Sequence, residues 1–530
     1  MNDAQRYRST RATVPQDYSY EDAVMLGLAK DGGLLLPSSI PKVSSDTLDT
    51  WKTLSFQELA FEIMRLYVSS TDIPDDDLKE LIKRSYGSFR SEKVTPVKPL
   101  DVENGLYLLE LFHGPTYAFK DVALQFLGNL FEYFLQRRNK NAKTQEERDR
   151  ITVVGATSGD TGSAAIHGLN GKKDISVFIL YPNGRISPIQ EQQMVTVEDP
   201  NVHALSVEGT FDDCQDYVKQ IFADEEFNKH YHVGAVNSIN WARILSQMTY
   251  YFYSYFETCK LLEKKEAGSF RFVVPSGNFG DMLAGYYAKE MGLPVEKLVI
   301  ATNENDILDR FMKSGCYSKS AEGKKAEVKA SYSPAMDILI SSNFERVLWY
   351  LIRDTIANKN NEKAGEILSG YMLQLKANGL FSVPDVILNA AREIFDSERV
   401  SDEATAETIK QTYQRTSEKY VLDPHSAVGV TTAYRKMQND ENSGIRDVKY
   451  ISLATAHPAK FAEVVNHSLK SFETYNFERD VLPENLKELG NKKKRLTLIE
   501  KPTIEKIKEA IIERVDGKKI SEIFPNRELA

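Results

Sequence analysis

The sequence predicts an α/β protein built on mostly parallel sheets covered by helices, preceded by a small helical N-terminal region. Three stretches carry this reading: "ITVVGA" runs into "TSGDTG" and then "SAAIHGL", "FRFVVP" into "SGNFGD" and "MLAGYYAKEM", and "VKYISLA" into "TAHP" and "AKFAEVV". Each is an apolar run of strand length without in/out alternation, then a glycine- or serine-rich or otherwise polar loop, then a helical pattern. A strand buried on both faces needs no alternation, and a strand, loop, helix order is the signature of parallel sheets. Ligands in such sheets gather at the loops that leave the carboxyl ends of the strands, where all three loops fall.

The first 95 residues read differently. "SFQELAFEIMRLYV" and "DDDLKELIKRSY" repeat apolar residues at helical spacing, with Ser55 and Asp75 or Asp76 as expected caps, and "AKDGGLLLPSSIP" reads as a loop. Residues 1–95 are therefore expected to form one domain, 96–470 the α/β region and 471–530 a helical C-terminal extension whose "TIEKIKEAIIERV" is an amphipathic helix. Two charged stretches, "ANKNNEKAGE" and "DSERVSDEATAE", read as exposed connections or an insertion.

A chain of 530 residues with 42% hydrophobic and 27% charged residues has the composition of a soluble globular protein of several domains. Its formal charge of -9 supplies no positive field for nucleic acid or an anionic membrane, and "KKKR" at 492 to 495 is too short a run to change that. The greasiest segment, Val122 to Leu135, is broken by Gln125, Asn129 and Glu132 and falls short of a membrane span. Cys214, Cys259 and Cys316 lie far apart without a C-x-x-C spacing, which suits a reducing compartment. The N-terminus carries Arg6, Arg8 and Arg11 but also Asp3 and Asp17 and no apolar h-region, so a cytoplasmic protein is expected.

Among candidate chemical residues, Lys120 in "HGPTYAFKD" comes first. Val122, Ala123, Phe126, Leu127, Leu130, Phe131 and Phe134 form a helical apolar stripe behind it, which puts Lys120 in or near the first turn of a core helix. The helix dipole and burial both disfavour the ammonium form there, leaving an amine able to condense with an aldehyde. The alternative is a lysine snorkelling from a helix start. "PSGNFGD", Pro275 to Asp281, is a second signal: small residues between a strand and a helix let backbone N–H groups converge on an anion. It lacks a Walker lysine and the G-x-G-x-x-G spacing, so a phosphate on a smaller cofactor fits better than a nucleotide. A condensing lysine and a separate phosphate cradle are together what pyridoxal 5'-phosphate needs. His113 and His457 precede Gly-Pro or Pro turns and read as structural, and no metal-ligand or serine-nucleophile pattern is present.

With those residues in hand, the chain resembles the threonine synthases, of the branch that includes fungal enzymes. The resemblance runs through "YRSTR", "GLAKDGGLLLP", "LFHGPTYAFKD", "GATSGDTGSAAIHGL", "YPNGRISPIQEQQM", "VEGTFDDCQ", "NSINWARILSQ", "VPSGNFGD", "SPAMDILISSNFER" and "LATAHPAKF". It implies a fold-type II, tryptophan synthase β-like enzyme with two α/β subdomains in the catalytic region, pyridoxal 5'-phosphate as cofactor and O-phospho-L-homoserine as substrate. Lys120 then matches the cofactor lysine, and Ser276, Gly277, Asn278, Phe279, Gly280 and Asp281 the loop around the cofactor phosphate. Thr455 matches the hydroxyl beside the ring nitrogen, and Asp160 stands near the ring's hydroxyl oxygen. Thr157, Ser158 and Thr161 match residues that receive the substrate carboxylate and neighbouring oxygens; Asn237, Ser238 and Arg243 match those that hold its phosphate. Without the resemblance, Asp160 reads as a helix cap and Arg243 as a surface helix residue, and the carboxylate of Asp281 beside a phosphate is repulsive unless it turns away. Two rivals share the motifs: a phospho-lyase that releases a 2-oxo acid, and a non-catalytic binding or signalling relative.

Overall fold

A computed structural model describes residues 5–262, 268–321 and 326–524. The chain forms two compact units, one from the N-terminal stretch up to Phe126 together with Ser238–Val481, the other from Leu127–Asn237 together with the chain from Leu482 onward.

The first unit is built on a six-stranded sheet in the order Phe395–Arg399, Lys297–Thr302, Ser269–Pro275, Val448–Ala454, Leu106–Glu110, Val97–Asp101. All neighbours are parallel except the last pair. The register sets Val273 opposite Val299 on one side and Ser452 on the other, so Pro275 and Ala454 leave the sheet at one edge. Leu106, Leu108, Val273, Val299, Val428 and Tyr450 share one buried cluster, as expected where "FRFVVP" and its neighbours are mostly apolar. Helix Pro424–Asn442 lies so close to the sheet that a Cβ on Gly429 would meet Ser452 Oγ at 2.7 Å and Pro275 Cγ at 3.1 Å. Only glycine permits that approach.

The second unit has a five-stranded, all-parallel sheet ordered Thr497–Ile499, Val202–Val207, Ile175–Pro182, Ile151–Ala156, Val233–Gly234. The C-terminal stretch is thus more than helical: it supplies an edge strand. Its helix Ile504–Asp516 then buries Ile507 and Ile511 with Val154, Leu180 and Phe227.

Several local expectations are corrected. Within "AKDGGLLLPSSIP", Leu35–Pro37 is a strand paired antiparallel with Tyr7–Ser9, because three successive leucines are buried there and need backbone partners. Ser55 does cap its helix, in a capping box with Glu58, but Asp75 and Asp76 lie inside the first turn after Pro74, where they complement the dipole instead of capping. The two charged stretches are regular structure: Asn361–Asn378 is a helix, and Phe395–Arg399 is the edge strand that precedes helix Asp402–Arg415. An edge strand and outer helices carry charge on their solvent faces, which hid them. Lys492 to Arg495 are exposed, with Lys494 paired to Glu191 at 3.1 Å. No helix among the described residues is long and apolar enough to cross a membrane.

Candidate active site

Lys120 is the first residue of helix Lys120–Arg138 and is 8% exposed. The turn before it is held on itself. Asp121 accepts from Thr116 N–H at 2.8 Å and from Thr116 Oγ1 at 2.7 Å, and Lys460 Nζ donates to Thr116 O at 2.9 Å. Burial raises the Asp121 carboxyl, and the Thr116 bonds and the Lys460 charge oppose the shift. A Cβ on Gly114 would fall 2.4 Å from Asp121 Cβ, so this turn admits no side chain there.

The same turn pairs with the third loop. Phe119 N–H donates to Thr455 O at 2.8 Å and His457 N–H to Tyr117 O at 3.1 Å, which sets Thr455 beside the start of the Lys120 helix. Thr455 is buried, and its N–H donates to Ser426 Oγ at 3.1 Å. Ser426 Oγ in turn bonds to Asp423, the N-cap of helix Pro424–Asn442. Asp423 Oδ1 also lies 2.8 Å from His425 Nδ1, while His425 Nε2 accepts from Ala335 N–H at 3.1 Å. That acceptor role puts the imidazole proton on Nδ1. His457 is structural as expected: its Nδ1 accepts from Ala459 N–H at 3.2 Å, and burial pushes its pKa down to about 4. His113 pairs with Glu110 at 2.8 Å.

The second loop leaves strand Ser269–Pro275 and opens helix Gly280–Met291. Its carbonyls are tied from behind, with Ser341 Oγ donating to Gly277 O at 2.6 Å and Asn343 N–H to Asn278 O at 3.0 Å. Among the described residues, the N–H groups of Gly277, Asn278 and Phe279 donate to no backbone carbonyl, and Ser276 Oγ is buried without a partner. A Cβ on Gly277 would come within 3.0 Å of Ala335 O, and Phe279 holds the left-handed conformation at φ 63° that brings the loop into the helix. Unpaired donors converging at a helix start are what a phosphate requires.

Asp281 resolves the expected repulsion by turning to two phenols. Its Oδ1 accepts from Tyr250 at 2.5 Å and Tyr251 at 2.9 Å. Burial raises its carboxyl to about 6, against the pull of both hydrogen bonds. A raised carboxyl pKa means the folded chain takes up this proton more readily than the unfolded chain, so stability falls as pH rises from about 4 to about 6 and levels off above. Asp281→Asn is accordingly expected to be more stable than the parent at pH 7.5, by about 1–3 kcal/mol, with the gap closing towards pH 4. Urea titrations at a series of pH values measure it.

Arg243 lies in the first turn of helix Trp241–Leu261, which Asn240 caps through Ala242 N–H at 3.0 Å. It is a buried residue, 4% exposed, against the surface position expected from local sequence. Among the described residues, its Nε and Nη1 have no hydrogen-bond partner. Burial lowers its pKa to about 10, with the nearby Tyr250 opposing the shift. A desolvated cation with two orphaned donors is prepared for an anion. Ser238 is close to the second loop, since a Cβ on Gly280 would lie 3.4 Å from Asn343 Nδ2 and 3.7 Å from Ser238 O.

Lys120, the Ser276–Asp281 loop, Thr455, Ser238 and Arg243 are thus all in the first unit. Thr157, Ser158, Asp160, Thr161 and Asn237 belong to the second. There Thr157 Oγ1 accepts from Gly159 N–H at 2.9 Å and Gly162 N–H at 2.8 Å, closing the "TSGDTG" turn, and Ser158 is exposed. Asp160 is not a cap. The N-cap is Gly159, without a side-chain bond, and Asp160 Oδ1 accepts from Gln190 Nε2 at 2.9 Å. Asn237 Oδ1 is buried without a partner. Gly159 sits at φ 141°, where a Cβ would meet Gln190 Oε1 at 2.2 Å. Gly159→Ala is expected to cost about 2–4 kcal/mol in a denaturant titration and to detach Gln190 from Asp160.

Sequence reasoning missed the residues behind these loops: Tyr250, Tyr251, Gln190, Ser341, Asn343, Arg346, Asp423 and His425. Two of these carried a local signal: Asp423, an acidic cap followed by Pro424 at the first helical position, and Gln190, which closes a capping box with Ser187.

Residues 6–86 match the family model of the threonine synthase N terminus, 89–448 that of the pyridoxal-phosphate dependent enzymes and 426–511 that of the threonine synthase C-terminal region. The chain is 60% identical over 525 residues to threonine synthase of Saccharomyces cerevisiae, with 98% of this chain and 100% of the relative covered. The crystal structure of threonine synthase from yeast aligns at a TM-score of 0.93 and 59% identity, covering 98% of this chain and all of that one. The structure of pyridoxal phosphate-bound threonine synthase from Brucella melitensis aligns at 0.84 and 39% identity, over 97% and 100%. Agreement of sequence and backbone over nearly the whole of each chain, on the scaffold that carries Lys120 and its facing loops, shows that this chain belongs to the threonine synthases, a family of pyridoxal-phosphate dependent enzymes.

Proposed function

We propose that this threonine synthase converts O-phospho-L-homoserine and water into L-threonine and phosphate. The observation that carries the choice of substrate is Arg243, a buried guanidinium with Nε and Nη1 unpartnered among the described residues, in the same unit as the anion cradle of the Ser276–Asp281 loop. One cradle suits the cofactor phosphate, and the arginine a phosphate ester on the substrate. The residues fit pyridoxal phosphate: Lys120 would hold it covalently through its amine. Ser276 and the N–H groups of Gly277, Asn278 and Phe279 would hold its phosphate, with Gly280 and Asp281 opening the helix behind. Thr455 would meet the ring nitrogen with a neutral hydroxyl, and Asp160 would stand near the ring's hydroxyl oxygen. When bound, the cofactor supplies an electron sink for charge developing on the substrate carbons.

Around it, the chain's own groups divide the work. Lys120 Nζ would take up the Cα proton and carry protons in the later steps. Thr157, Ser158 and Thr161 receive the substrate carboxylate. Arg243, Ser238 and Asn237 bind the γ-phosphate and stabilise it as it leaves, after which water adds at Cβ. Burial of Arg243 strengthens that interaction by excluding competing water.

The test is to supply O-phospho-L-homoserine to the purified protein and assay phosphate, threonine and ammonia in one tube. Equal yields of phosphate and threonine without ammonia support the reading. Phosphate with ammonia and a 2-oxo acid overturns it in favour of the phospho-lyase, and no turnover with the cofactor supplied favours the non-catalytic relative. We also read residues 1–95 as an N-terminal domain, 96–470 as the catalytic region and 471–530 as a C-terminal extension. The family models support the first boundary, which lies near the end of one model at 86 and the start of the next at 89, whereas the C-terminal model, 426–511, spans the second. A cytoplasmic location is supported by three cysteines that are all free thiols.

A further inference from the structure

One buried side chain touches both anion loops of the first unit. Asn343 Nδ2 donates to Asn278 O at 3.0 Å, in the loop assigned to the cofactor phosphate, and to Ser238 O at 3.0 Å, in the loop assigned to the substrate phosphate. An amide can face either way, but this one is fixed, because its Oδ1 accepts from Arg346 Nη1 at 2.6 Å. Arg346 is itself fully buried and, among the described residues, bonded only to neutral oxygens. Its Nε and Nη2 donate to Leu35 O at 2.9 and 2.7 Å, and Nη2 also to Ile239 O at 2.6 Å. A guanidinium held by carbonyl dipoles makes charge-assisted bonds, the strong kind.

The consequence follows from peptide geometry. In a planar trans peptide, C=O and the next N–H point in opposite directions. Drawing Asn278 C=O towards Asn343 therefore turns Phe279 N–H the other way, and drawing Gly277 C=O towards Ser341 does the same for Asn278 N–H. Holding Ser238 C=O and Ile239 C=O likewise sets the N–H directions of Ile239 and Asn240. The N–H groups of Phe279 in the first loop and of Ile239 and Asn240 beside Ser238 are thus aimed by one amide and the cation behind it.

We propose that Asn343, locked by Arg346, couples the two phosphate sites, so that occupation of the substrate phosphate site tightens the hold on the cofactor. This rests on the reading given under Proposed function. A loop whose donors are ordered by its own anion holds Asn343 in place, and the second loop then needs less ordering to bind its own.

The experiment uses the full-length holoenzyme and inorganic phosphate as probe. The equilibrium dissociation constant of the cofactor is measured by its visible absorbance in titrations, with and without saturating phosphate. In the parent, phosphate is expected to lower that constant by about 5- to 150-fold, the usual range of coupling between sites. In Asn343→Leu the tightening should fall below about 2-fold, and the ratio of phosphate affinities of the holoenzyme and the cofactor-free protein should fall by the same factor, because linkage is reciprocal. General damage to the fold would not produce that equality. Arg346→Lys, which keeps the charge but loses the fork that fixes the amide, provides the same reading if the leucine variant does not fold. Full tightening in both variants, or none in the parent, overturns the coupling. Arg243→Gln tests the underlying reading separately: if it binds phosphate as the parent does, the substrate site has been misassigned.

Discussion

Replacing Lys120 with alanine is expected to lower kcat for threonine formation by at least about 10⁴, and to remove the visible absorbance of the cofactor from the purified protein. Two roles end together, the covalent hold on the cofactor and the proton transfers at the substrate, and general acid–base catalysis alone typically contributes 10²- to 10⁴-fold. The fold should survive. Lys120 opens its helix next to a turn whose own bonds, from Thr116 to Asp121 and from Lys460 to Thr116, do not depend on the lysine side chain. Unfolding of the cofactor-free variant should therefore match that of the cofactor-free parent within about 1 kcal/mol, against the loss of more than about 5 kcal/mol in transition-state stabilisation. A small primary amine added to the variant should restore part of the rate, because the space left by the side chain admits a free base. Retention of more than a tenth of the parent rate would remove Lys120 from the mechanism.

What was legible in the sequence is what is local. The Lys120 helix, the "SGNFGD" turn and the strands Ile151–Ala156, Ser269–Pro275 and Val448–Ala454 are written in runs of a few neighbouring residues, because periodicity and turn chemistry act over one or two turns of chain. The environment of each candidate was not. Arg243 sits on a helix whose sequence shows an ordinary polar position, yet it is buried in the folded unit. Nothing near Asp281 announces that Tyr250 and Tyr251 return to it, and nothing near Asn278 points to Asn343. Such partners are set by topology, which brings the Ser341–Arg346 stretch behind the loop that follows the central strand. Leu35–Pro37 failed for the opposite reason: three leucines are too short a run to distinguish a strand from a loop until Tyr7–Ser9 is found beside them.

Arg243→Met is expected to move stability and binding in opposite directions. With no ligand present, the parent holds a guanidinium 4% exposed, its Nε and Nη1 unpartnered among the described residues and its pKa lowered by burial to about 10. A cation whose folded pKa is depressed destabilises the fold at neutral pH by the free energy of the shift, here about 3 kcal/mol. Methionine fills similar space with a flexible apolar chain and removes that cost, so the variant should be more stable by about 1–3 kcal/mol in a denaturant titration without phosphate. The phosphorylated substrate meets the reverse. Each charge-assisted bond lost costs about 1.5–3 kcal/mol, so two should raise KM by at least about 10²-fold, with a smaller fall in kcat. Inorganic phosphate should raise the stability of the parent by RT ln(1 + [L]/Kd) and leave that of the variant unchanged. If the variant instead unfolds more easily and keeps its KM, Arg243 is a structural cation and the anion it awaits is elsewhere. The opposed signs are the point of the experiment, since a residue that only holds the helix in place loses on both measures, and a preformed anion site gives up affinity and gains stability.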